Sequence, residues 1–207
     1  MLDSRARRFV QPAIEGVAKV LHSLGVSPNA ATGAAFITGL LAVTAYGAGF
    51  SRSALALLWF SGLADTVDGT LARFSQRVSP LGTLFDLLSD RVVEGAFVMA
   101  TALLFPESRL ACVLLLASII FSFSIFLIVG MLSEKTEREK TEENAKRNGI
   151  EKSFYYQAGL AERTETFLVF SLVILWPEHA APLFYLFAAM IVFTGFQRFF
   201  EACRYLK

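Results

Sequence analysis

Apolar residues run along this chain in six long stretches, at about 31–49, 54–73, 81–105, 110–132, 155–176 and 182–203. Crossing the hydrocarbon core of a bilayer takes about 20 helical residues, so the stretches predict six membrane-spanning helices. Ahead of them, Phe9, Val10, Ile14, Val17, Val20, Leu21 and Leu24 recur at roughly helical spacing, with Arg5, Arg7, Arg8 and Lys19 among them. That is the pattern of an amphipathic helix lying in the membrane interface. The stretch "GVSPNAAT" reads as a turn followed by a helix start. The expected fold class is therefore an all-α integral membrane protein of one domain, with an interfacial helix over 1–28 and a six-helix core over 29–207.

Composition agrees with a membrane setting: 55% of the 207 residues are hydrophobic, twenty are Phe, and the net charge is only +1. The first 25 residues lack the continuous apolar core and small-residue cleavage site of a secretory signal, so they are expected to stay attached. Basic residues are distributed unevenly. The short connections at 50–53, 106–109 and 177–181 hold only Arg52 and Arg109, whereas fifteen Lys and Arg lie on the other side. By the positive-inside rule this places both termini in the cytoplasm. The run "SEKTEREKTEENAKRNGIEKS" mixes signs and reads as a solvated loop or short exposed helix. Cys112 and Cys203 are the only cysteines; two isolated thiols suggest neither a disulfide framework nor a zinc site, and both are expected to serve packing.

Against this background, "DTVDGTLARFSQRVSPLGTLFDLLSD" at 65–90 holds four aspartates. Asp65 and Asp68 are three apart, Asp86 and Asp90 four apart, so each pair shares a helix face. The two helices meet across a short turn, which gathers the carboxylates near the cytoplasmic surface. Each ionisable group in a membrane costs at least about 2.5 kcal/mol on insertion scales, so something positive must compensate them. Oxygen ligands without His or Cys point to two divalent cations, Mg2+ or Mn2+, and two metals on shared carboxylates point to phosphate chemistry. Gly69, Ala72 and Gly82 remove bulk where a diphosphate or base would approach the backbone, and Arg73 offers a forked donor for phosphate oxygens. Alternatively, the acids pair with Arg73, Arg77 or Arg91, or line an ion pathway.

The full pattern D-x2-D-G-x2-A-R-x8-G-x3-D-x3-D resembles that of the CDP-alcohol phosphotransferases, integral membrane enzymes that make phospholipids by displacing CMP from a CDP-linked donor. The resemblance, which includes an interfacial helix followed by six membrane helices, covers essentially the whole chain. It implies that Asp65, Asp68 and Asp86 bind the two metals, and that Asp90 touches the second metal and acts as general base. It also implies that Gly69, Arg73 and Ser79 contact the cytidine diphosphate of CDP-diacylglycerol, with Pro28, Asn29 and Thr32 capping the nucleotide site from the first membrane helix. The plainer reading of "SPNAAT" is a helix cap. Members of the family are often homodimers, and no nucleic acid partner is implied.

The acceptor alcohol is read from the remaining cations. Lys135, Arg163 and Arg198 stand at membrane edges, and a phosphorylated acceptor needs positive charge beside the carboxylates. Arg163 alternatively pairs with Glu162 or Glu165. The three positions resemble those with which bacterial phosphatidylinositol phosphate synthases hold inositol phosphate, although Lys135 lies in "SEKTERE" rather than a "KAR" context. Glycerol phosphate, serine and free inositol are the other acceptors to consider. A small ion transporter is a more distant reading, disfavoured because the acids gather in the cytoplasmic third. The expected location is a prokaryotic plasma membrane.

Overall fold

The computed structural model describes residues 2–75, 79–144 and 163–205, with side chains over 11–75, 79–133 and 164–204. The described residues form seven α-helices: α1 (Leu2–Ser23), α2 (Pro28–Gly47), α3 (Ser51–Phe74), α4 (Pro80–Leu104), α5 (Arg109–Asn144), α6 (Arg163–Leu175) and α7 (Ala180–Tyr205). One-turn 3-10 helices at Pro106–Ser108 and Pro177–His179 lead into α5 and α7.

Glycine and proline mark the helix ends. At Gly25 and Gly49 the backbone enters the left-handed region, φ 74° and 81°. There Gly25 N donates to His22 O and Val26 N to Leu21 O, while Gly49 N donates to Tyr46 O and Phe50 N to Ala45 O. These paired bonds satisfy carbonyls that a helix end leaves open, with glycine supplying the positive φ. At the opposite ends, Ser27 accepts from Ala30 N and Ser79 accepts from Gly82 N, each followed by proline in the first helical position.

The helices pack unequally along their length. Ala42, Tyr46, Leu58, Phe97, Leu115, Phe170 and Phe184 belong to one large apolar core away from the aspartates. There Phe97 stacks between Tyr46 and Phe170, at 4.8 and 4.1 Å between ring centroids. At the aspartate end a smaller cluster joins Ile14 and Ala18 of α1 to Ala31, Val67 and Leu71. α2 packs against both α3 and α4, while α3 and α4 pack little against each other. The bundle is thus tied at one end and parted between α3 and α4 at the other.

Among the described residues, three helices are long and apolar enough to cross a membrane, within Pro28–Gly47, Pro106–Ser133 and Pro177–Arg204. The six expected spans are not all of this kind. α3 and α4 have 24 and 25 residues, a length of about 36 Å at 1.5 Å per residue, but Asp65, Asp68, Asp86, Asp90 and neighbouring charges lower their hydropathy. α6 has 13 described residues, and the first part of the expected 155–176 segment lies outside the described residues, as does Arg77. Another difference concerns α5, which continues past the apolar stretch to Asn144. Glu, Lys and Arg are good helix formers, so loss of hydrophobicity at 133 ends the apolar surface without ending the helix. The cysteines also differ: Cys112 is buried in the core as expected, but Cys203 is exposed.

Candidate active site

The aspartates project from the two helices that α2 holds apart. Ligand oxygens of Asp65, Asp68 and Asp86 lie within 4.8 Å of one another. Asp68 is 6% exposed, and Asp86 Oδ1 is a buried carboxylate oxygen that no donor among the described residues reaches. Carboxylates this close repel one another at low dielectric, and a counter-charge between them relieves that repulsion. An all-oxygen donor set with a buried oxygen awaiting a partner fits a hard divalent cation. Asp90, one turn beyond Asp86, lines a small cleft together with Asp65.

The residues expected to meet a nucleotide surround this cluster. A Cβ on Gly69 would meet no protein atom within 4 Å, so the glycine leaves open space beside Asp68. Gly82 differs, since a Cβ there would come within 3.1 Å of Asn29 Oδ1 and of Ser79 Oγ. That approach brings the first turn of α2 against the first turn of α4. Ala72 is half-buried and Arg73 exposed, the latter donating through Nη2 to Thr70 Oγ1 at 3.2 Å. Pro28 and Thr32 are buried, and Thr32 Oγ1 donates back to Pro28 O at 3.1 Å. "SPNAAT" is therefore a helix cap, and it adjoins the carboxylate site as well.

The expected acceptor cations are less fully described. Arg198 is half-buried in α7, its guanidinium 5.7 Å from the ring centre of Phe126. Lys135 lies on the extension of α5 and Arg163 opens α6, but both side chains fall outside the described residues, as does Glu162. Glu165 is 9% exposed.

Sequence reasoning passed over several residues of the cleft: Ser61, Ser89, Glu94 and Thr166 line it beside Asp65 and Asp90. Ser61 precedes Asp65 by four positions and Glu94 follows Asp90 by four, so one-turn spacing was the available signal. Glu94 also carries the acids past the middle of α4, deeper into the helix than expected. Arg91 forms a two-pronged ion pair with it, Nη1–Oε2 2.9 Å and Nη2–Oε1 3.0 Å, and lies 5.2 Å from the ring centre of Phe123 on α5. These contacts account for a cation within an apolar segment.

A family model, CDP-alcohol phosphatidyltransferase, matches residues 26–197. The chain belongs to that family. Among relatives of this CDP-alcohol phosphatidyltransferase, the inner membrane protein YnjF of Escherichia coli K12 is 30% identical over 210 residues, covering all of this chain and 98% of that one. An archaetidylinositol phosphate synthase of Pyrococcus horikoshii is 32% identical over 100 residues, which span 48% of this chain and 53% of the relative. The fold resembles that of Mycobacterium tuberculosis phosphatidylinositol phosphate synthase (PgsA1) with CDP-DAG bound, at TM-score 0.67, 20% identity and coverage of 91% and 92% of the two chains. The same enzyme in complex with manganese and citrate matches at TM-score 0.67 and 20% identity, covering 91% of this chain and 88% of that one. Its three long apolar helices and its inner-membrane relative make the chain an integral membrane protein.

Proposed function

We propose that the protein transfers a phosphatidyl group from CDP-diacylglycerol to a hydroxyl of inositol phosphate, releasing CMP. The observation that carries this reading is the convergence of Asp65, Asp68 and Asp86 on oxygens within 4.8 Å, beside the open backbone at Gly69. In this reading Asp65, Asp68, Asp86 and Asp90 hold two divalent cations, Mg2+ or Mn2+. Bound there, the cations neutralise the diphosphate and stabilise the departing CMP. Gly69 and Ala72 let the donor approach the backbone, Gly82 makes room for Asn29 and Ser79 rather than for the donor, and Arg73, Ser79, Pro28, Asn29 and Thr32 contact its nucleotide part. Asp90 accepts the proton of the attacking hydroxyl, and that oxygen forms the new bond to the phosphorus bearing the lipid as the bond to CMP breaks. Lys135, Arg163 and Arg198 receive the acceptor's phosphate, a role supported by their charge and by the inositol phosphate products named for the archaeal relative.

The site lies toward the cytoplasm in this proposal, with six membrane crossings, both termini cytoplasmic and a prokaryotic plasma membrane as the setting. The excess of Lys and Arg on that side supports it. Exposed Phe121, Phe193, Phe196 and Phe200 on α5 and α7 suit contact with lipid or with a second copy in a homodimer. The test is CMP release by purified protein from CDP-diacylglycerol and Mg2+, with inositol phosphate, glycerol phosphate, free inositol and serine offered separately. Release with inositol phosphate supports the proposal. Release only with another acceptor discards the acceptor and keeps the transfer, and metal-independent release discards the mechanism.

A further inference from the structure

Hydroxyls in these helices commonly bond back to their own backbone, as Thr66 does to Gly62 O at 2.8 Å, Thr101 to Phe97 O at 3.0 Å and Ser171 to Phe167 O at 2.6 Å. Ser61 instead reaches across to Ala35 O at 2.7 Å. Ser89 does neither. It is 7% exposed, and its Oγ is buried with no hydrogen-bond partner among the described residues. A buried hydroxyl left without a partner costs about 1–3 kcal/mol, which is an unusual expense one residue away from Asp90.

The surroundings of Ser89 indicate what it awaits. It lines the cleft that also takes in Asp65, Asp90, Glu94 and Thr166. The cleft measures about 30 Å³, above the roughly 10–15 Å³ that a single water-sized group requires. Glu94 is held on both oxygens by Arg91, itself seated on Phe123, so its carboxylate is fixed in place. Asp90 therefore faces a cleft that admits a hydroxyl, with the orphaned Ser89 hydroxyl on the same cleft to receive a neighbouring group.

We infer that the cleft recognises a vicinal diol: the hydroxyl that attacks sits by Asp90, and the hydroxyl on the adjacent carbon bonds to Ser89 Oγ. This rests on the transfer reading above and deepens it. Ser89 is then a specificity residue, selecting polyols such as inositol phosphate or glycerol phosphate over an acceptor with no hydrogen-bonding group on the neighbouring carbon.

The test compares wild-type and Ser89→Ala protein in the CMP-release assay, using inositol phosphate and its analogue lacking the hydroxyl beside the reacting one. Ser89→Ala is expected to raise the acceptor KM about three- to ten-fold, the size of one net hydrogen bond, to leave the KM for CDP-diacylglycerol unchanged, and to keep or raise Tm. The deoxy analogue is expected to be a poorer acceptor for the wild type and to be handled equally by both proteins. An unchanged acceptor KM in the variant, or the same penalty with the deoxy analogue, overturns the inference alone. So does parity of the two acceptors with wild-type protein, a comparison that needs no variant. Absence of CMP release with any acceptor defeats the transfer reading and this inference together.

Discussion

Asp86 Oδ1 is a buried oxygen without a donor among the described residues, set among carboxylates that lie within 4.8 Å of one another. Such an arrangement stores repulsion that a bound cation relieves, and a ligand binding only the folded state stabilises it by about 2.7 kcal/mol at 100 times its Kd. Mg2+ or Mn2+ is therefore expected to raise the Tm of the wild type, and Asp86→Asn to abolish that rise while lowering CMP release about 100-fold or more. A melt insensitive to either ion would remove the metal site. Asp90→Asn separates the roles: it keeps the shape, so the ion-dependent rise in Tm is expected to persist while turnover falls by about 10²–10⁴, the range for a lost general base. Near-normal turnover in that variant would assign the proton elsewhere. Gly69 offers a third contrast. Alanine there meets no protein atom within 4 Å and favours a helix by up to about 1 kcal/mol, so Gly69→Ala is expected to hold or raise Tm while raising the KM for CDP-diacylglycerol. If the donor KM does not move, the open space at Gly69 is not the nucleotide's.

At the scale of elements, α2 decides how far α3 and α4 stand apart. It fits closely at Gly39, where a Cβ would lie 2.8 Å from Val93 Cγ2 and 3.0 Å from Ser61 Oγ. Overpacking of this kind typically costs about 1–3 kcal/mol. Gly39→Ala is expected to lower Tm and activity together, and Val93→Ala in the same protein to restore part of both; failure of that rescue would show that the spacing is set elsewhere. The helices themselves were legible in the sequence because apolar length is a strong signal, and most expected boundaries lie within three residues of those observed. The α5 end was not, since apolar patterning reports where a helix leaves the membrane and is silent on where it stops. The motif likewise disclosed the carboxylates. It could not disclose Ser89, whose significance comes from lacking the backbone bond that comparable hydroxyls make, nor the Arg91–Glu94 pair, whose setting needs Phe123 from a different helix.

Across the whole molecule, the charges that form the site are the same ones that make α3 and α4 poor membrane helices by composition, so that among the described residues neither joins the three helices that meet that criterion. Topology must then be tested directly, and the two cysteines allow it. Cys203 is exposed near the end of α7 while Cys112 is buried, so a membrane-impermeant thiol reagent is expected to label Cys203 in inside-out vesicles and not in right-side-out ones. The reverse labelling would invert the proposed orientation. The parted end of the bundle has one more consequence. A cleft of about 30 Å³ suits a hydroxyl, but it admits water on equal terms, because shape alone does not tell R–OH from H–OH. With no acceptor present, water beside Asp90 would take the phosphatidyl group and give phosphatidic acid and CMP, so the fidelity of such an enzyme rests on the second hydroxyl that water does not have.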